Sequence, residues 1–89
     1  MSDLFIWYHA PASIEHDLLQ WLEQLSKQGI RGRLFVRHET EQTTFMEVYE
    51  SVGSGTLDAI ETEARQQPWY RHLRSPRRCE SFKEISSHE

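Results

Sequence analysis

Apolar and polar residues change period in a definite order along this chain. Alternation over 3–9 gives way to a helical stripe over 14–28, then to two more alternating runs over 30–38 and 43–51. A second helical stripe over 56–66 precedes a last short run over 78–85. The order predicts strand, helix, strand, strand, helix, strand. The first strand, Leu4-Phe5-Ile6-Trp7-Tyr8, is apolar at successive positions. That pattern places it in the middle of a sheet, covered on both faces.

Local chemistry sets the expected boundaries. Ser13 is positioned to cap the first helix, with Glu15 and Asp17 at the positive end of its dipole. Ile14, Leu18, Trp21, Leu22 and Leu25 line one face, and Gly29 suits a left-handed stop. The second helix turns Leu57, Ile60 and Ala64 inward and must end before Pro68. This is the split βαβ arrangement of the ferredoxin-like α+β fold. It predicts a four-stranded antiparallel sheet in spatial order 4-1-3-2 with both helices on one face. Right-handed crossovers between parallel strands one and three are expected with it. One domain spans 1–89, its core over about 3–85 and a frayed tail over 86–89.

The paired strands carry the candidate site. In strand two, Gly32, Leu34 and Val36 alternate with Arg33, Phe35 and Arg37; in strand three, Thr44, Met46 and Val48 alternate with Phe45, Glu47 and Tyr49. Turning both aliphatic sets toward the helices leaves Trp7, Phe35, Phe45 and Tyr49 outside, among Arg33, Arg37 and Glu47. An even loop around Thr40 would set Leu34 opposite Glu47 and Phe35 opposite Met46, mixing the sets, so an odd loop is predicted. Arg33 then lies within reach of Glu47. The outer face is an apolar patch that asks for a partner.

Composition narrows the function classes. Charged residues at 27% and hydrophobic residues at 37% are those of an ordinary globular domain. No apolar run approaches the ~20 residues of a membrane span, and the N-terminus has no signal-peptide pattern, so a cytoplasmic protein is expected. The single cysteine, Cys79, is read as a small buried hydrophobe on the last strand. His9, His16, His38, His72 and His88 show no metal-ligand spacing, so neither metal nor cofactor is expected. Residues 1–64 hold four Lys/Arg against eleven Asp/Glu, and residues 65–89 hold six against three. The basic stretch interleaves Arg71, Arg74, Arg77 and Arg78 with Trp69 and Tyr70. Nucleic acid is the sharp reading of it. An acidic chain repels phosphate, which favours a solvated connection instead.

Gly32-Arg33-Leu34 on strand two and Thr44-Phe45-Met46-Glu47-Val48-Tyr49-Glu50 on strand three resemble an uncharacterised family of short proteobacterial proteins, a domain of unknown function. The resemblance implies a ferredoxin-like fold related to the dimeric α+β barrels. That wider group includes antibiotic-biosynthesis-type monooxygenases, muconolactone isomerases and binding proteins. Two open sheets there pair face to face around a pocket, which implies a homodimer.

Three functions are expected to compete. The first is binding or conversion of a small aromatic or acidic metabolite on the open face. Arg33 and Arg37 would clamp a carboxylate, Trp7 and Phe35 would stack on a ring, and Tyr49 or His9 would move protons, with Glu47 in the same cluster. The second is a purely structural or protein-interaction dimer, with the arginines paired to Glu47 and Glu80 across the interface. The third is an RNA-binding module, whose aromatics would stand on strands one and three. Strand three lacks the sequence signature of such modules.

Overall fold

The computed structural model describes residues 1–86. Strand β1 is Ser2–His9, β2 Gly32–His38, β3 Thr43–Val52 and β4 Arg78–Phe82; helix α1 is Glu15–Lys27 and α2 Thr56–Arg65. Two 3-10 turns, Ala12–Ile14 and Pro68–His72, precede α1 and β4. The expected tail and His88 lie, apart from Ser86, outside the described residues.

The sheet order is β2-β3-β1-β4, with β1 central, as its doubly apolar sequence demands. Each neighbouring pair is antiparallel. Strands one and three are therefore antiparallel, not parallel as expected. The helices instead join β1 to β2 and β3 to β4, which run the same way one strand apart. The βαββαβ topology thus stands, but the barrel does not. β2 and β4 are free edges at opposite sides of an open sheet, so the expectation of a dimeric α+β barrel is withdrawn.

Both helices pack on one face. Leu4, Ile6 and Tyr8 of β1 join Leu18, Trp21, Leu22 and Leu25 of α1, Ile60 and Ala64 of α2, and Trp69 in one core. Helix α1 ends as its sequence directs. Gly29 takes φ 88°, and the amides of Gly29 and Ile30 donate back to Ser26 and Leu25 carbonyls at 3.0 Å each. Its start differs. Ser13 lies in the 3-10 turn, Ile14 holds the cap position, and no side chain caps the helix. The Ile14 amide donates to the Pro11 carbonyl at 3.2 Å, so backbone supplies the entry that Ser13 was expected to supply.

Strand β3 presents the opposite face from the one expected. Phe45, Glu47 and Tyr49 are buried under the helices, while Thr44, Met46 and Val48 line up with Phe5, Trp7 and His9 on the open side. His38 pairs with Thr43, leaving the even loop Glu39 to Gln42. Leu34 accordingly faces Glu47 and Phe35 faces Met46, the mixed register the aliphatic pattern argued against. Large aromatics decide it. Burying Phe45 and Tyr49 gains roughly 1.5–3 kcal/mol for each large side chain, and Glu47 follows them inward because its charge is met there. Gly32 makes the room: a Cβ on it would stand 2.5 Å from Tyr49 Cε2.

Candidate functional site

Glu47 is the centre of a polar cluster inside the core. It is 0% exposed, and the Arg77 side chain beside it is 1% exposed. Arg77 donates from both terminal nitrogens, Nη1 to Oε2 at 2.7 Å and Nη2 to Oε1 at 2.9 Å. This is the bidentate fork that guanidinium and carboxylate favour. Tyr8 donates to Oε2, and Tyr49 donates to Oε1 at 2.7 Å. Arg77 Nε donates to Glu61 Oε2 at 3.0 Å, and Glu61, 19% exposed, connects the cluster to solvent. Aromatic rings close around the guanidinium: Tyr8 at 4.9 Å, Trp21 at 5.5 Å and Trp69 at 5.9 Å. Those contacts add cation–π attraction where water is excluded.

The electrostatics hold the two phenols and the guanidinium of this cluster in their protonated forms. Burial first, and the Glu47 charge second, push both phenols far above the ordinary tyrosine range. Tyr8 and Tyr49 therefore donate to Glu47 and do not ionise. Burial alone would lower Arg77, but its hydrogen bonds and attraction to Glu47 outweigh that and hold it above its ordinary value. With its donors and acceptors paired inside the protein, the cluster has the character of architecture, not of an open reaction centre.

The open face is organised in rows. Arg78, Trp7, Met46 and Phe35 form one row across all four strands. His9, Thr44 and Arg37 form the next row toward one end, and Glu80, Phe5, Val48 and Arg33 the row toward the other. A concavity of about 360 Å³ lies on this face, lined by Trp7, Phe35, Val36, Arg37, Thr44 and Met46. The Arg78 guanidinium lies 4.9 Å from the Trp7 ring centre, and His9 meets the same ring edge-on at 5.8 Å. His9 Nδ1 is 3.0 Å from Thr44 Oγ1. Among the described residues, Arg37 is held by an exposed ion pair to Glu39 at 3.4 Å. Exposed pairs of this kind are worth little and yield readily to another anion.

Of the expected site residues, Trp7, His9, Arg33, Phe35 and Arg37 do share the open face. Glu47 and Tyr49 do not; they are in the core. Arg33 pairs with Glu50 at 2.9 Å instead of Glu47, and Arg37 pairs with Glu39 at 3.4 Å. Sequence reasoning missed Arg78, Met46 and Thr44 on the open face, and Arg77, Tyr8 and Glu61 inside. With Phe45 and Tyr49 buried, β3 offers no aromatic to the open face, which removes the stacking platform that an RNA-binding reading needs there. Cys79 is exposed, not buried as expected. Its sulfur nonetheless sits against the Arg77 carbonyl at 3.9 Å. Partial burial of the sulfur, then the Glu61 charge, push the thiol up to about 11, which makes it a poor nucleophile at neutral pH.

Among the described residues, no group of three or more His, Cys, Asp or Glu could hold a metal ion, and no helix is long and apolar enough to cross a membrane. The chain matches no protein-family model, no curated protein and no solved structure. The resemblance to a short proteobacterial family is accordingly withdrawn, and the site stands on its own geometry.

Proposed function

We propose that the open sheet face binds a small molecule made of a planar ring and an acid group. The carrying observation is the concavity of about 360 Å³ between Trp7, Phe35 and Met46, with Arg37 on its rim. Its floor suits a ring, and the exposed fork of Arg37 suits a carboxylate. His9, beside Thr44 and Trp7, is the hydrogen-bonding group next to that floor. Tyr49 and Glu47, spent on the core, take no part. Titrating the ¹⁵N-labelled chain with naphthoate tests the reading. Shifts should concentrate at the Trp7 indole and at Phe35, Arg37 and Met46, and Arg37→Ala should abolish them. Uniformly small shifts at millimolar naphthoate would refute it.

Self-association of the same face is a second reading, favoured by the rows themselves. Rotating a second copy about an axis along the strands sets β4 of one copy over β2 of the other. Arg33 then meets Glu80, Phe5 meets Val48, Trp7 meets Met46 and Phe35 meets Arg78, each pair twice. Such self-complementarity is what an isologous interface requires. Phe35 at 47% and Phe82 at 57% exposure supply apolar surface beyond the concavity. Sedimentation at tens of micromolar decides: a dimer split by Phe35→Lys supports this reading, and a monomer removes it.

A further inference from the structure

The two polar centres lie on opposite sides of one sheet, and adjacent residues join them. Arg77 enters the core, and Arg78, the next residue, points to the open side and covers Trp7 at 4.9 Å. Just upstream, the Arg74 amide donates to the His9 carbonyl at 2.8 Å, and the His9 amide donates to Ser75 Oγ at 2.9 Å. The segment 74–78 therefore grips both Trp7 and His9. Its own hold on the body is narrow. All five residues of β4 are exposed, so beyond its ladder to β1 the strand places no apolar side chain in the core. Its anchor is the Arg77 side chain that leads into it, held by Glu47 on one side and Glu61 on the other.

We infer that Arg77 is a positioning residue for the open face: its buried double-carboxylate clamp sets where Arg78 and His9 stand around Trp7, and makes Arg78 the second cation of the site. The inference deepens the binding reading above and rests on it for its function. It adds that the acid of the ligand is recognised from both sides of Trp7, by Arg37 from β2 and Arg78 from β4. A guanidinium is needed at position 77 because one planar fork satisfies both carboxylates at once. A lysine there keeps the charge but reaches as a single point, without the fork.

The test compares an anionic and a neutral ring on the full chain, naphthoate against naphthol. Arg77→Lys should weaken naphthoate about 10-fold, within the usual range for coupled sites, and leave naphthol within about twofold, because the apolar floor is untouched. Arg78→Ala should reproduce the same selective loss. A purely structural role for Arg77 would weaken both probes alike, and that result overturns the inference, as does no change in either. Should Arg77→Lys fail to fold, Glu61→Gln carries the test. It removes the carboxylate charge that Nε faces, keeps an amide oxygen to accept there, leaves the Glu47 fork in place, and should give a smaller loss in the same direction. If the native chain binds neither probe, the binding reading fails by itself. Positioning is then judged from the free protein: Trp7 and His9 ring resonances that shift in Arg77→Lys sustain it, and resonances that stay put overturn it.

Discussion

Replacing Arg77 with methionine should be among the most damaging single changes in this protein. Methionine approximates the length of the arginine stem and can keep apolar contact with Tyr8, Trp21 and Trp69, so the change removes the charge and its hydrogen bonds with little loss of packing. Glu47 then loses its guanidinium partner at 0% exposure. Removing one partner of a buried pair costs roughly 3–5 kcal/mol. Two of the four hydrogen bonds to Glu47 survive, from Tyr8 and Tyr49, which argues for the lower end, about 3 kcal/mol. A domain of this size has a total stability of roughly 4–13 kcal/mol. At roughly 4–8 °C for each kcal/mol, the midpoint should fall by about 12–24 °C. Urea titration and thermal melting followed by near-ultraviolet circular dichroism measure both quantities. Adding Glu47→Gln should recover part of the loss, because the orphaned charge disappears and an amide still accepts from the phenols. A cost for Arg77→Met below about 1 kcal/mol, the level of an exposed pair, would refute the reasoning. So would strict additivity of the two substitutions, since residues in one network should couple.

Gly32→Ala should cost about 1–3 kcal/mol as an overpacking change, because its Cβ meets the Tyr49 ring at 2.5 Å; an unchanged urea midpoint would contradict the packing described. Alkaline stability follows from the raised phenols of Tyr8 and Tyr49. Unfolded tyrosines release protons near pH 10 while these two hold theirs, so the unfolded state binds fewer protons and stability falls as pH rises past about 10. The slope should approach 2.7 kcal/mol per pH unit for two such groups, and their tyrosinate absorbance should appear only together with loss of the native dichroism. Cys79, exposed but with its thiol pushed up to about 11, should alkylate more slowly at pH 8 than in the urea-unfolded chain; equal rates would show that the neighbourhood of Glu61 has no hold on it.

Element order and helix faces were legible because long-range contacts only reinforce them. Leu18, Leu22 and Leu25, or Ile60 and Ala64, would be buried on any sheet that their helix covered, and Gly29 ends α1 whatever packs beside it. The centrality of β1 was legible for the same reason. The facing of β3 was not. Its two alternating sets are both semi-apolar, Thr44-Met46-Val48 against Phe45-Glu47-Tyr49, so alternation gives the period without the sign. A rule that keeps charge outside then chooses the wrong set. It fails because the neutralising groups come from elsewhere, Tyr8 from β1 and Arg77 from a segment thirty positions away. Five of the seven candidate residues stayed on the open face after the reversal, because β1 and β2 contribute Trp7, His9, Arg33, Phe35 and Arg37 regardless of how β3 turns.

The signal that corrects the facing lies in the basic stretch before and within β4. Arg77 and Arg78 are adjacent, and on an extended chain adjacent side chains point to opposite faces. Two adjacent arginines on the extended chain that enters β4 therefore go one to each side of the sheet, whatever its register. The inward one needs a buried acid, and β3 of the sheet carries Glu47 among aromatics large enough to seal it. Reading the whole stretch as a solvated connection treated its charges as one population. They are two: Arg78 lies over Trp7 in the open, while Arg77 stands between Tyr8, Trp21 and Trp69. The same alternation that concealed the facing of β3 makes the arginine pair a bridge through the sheet, and this bridge joins the core cluster to the open face.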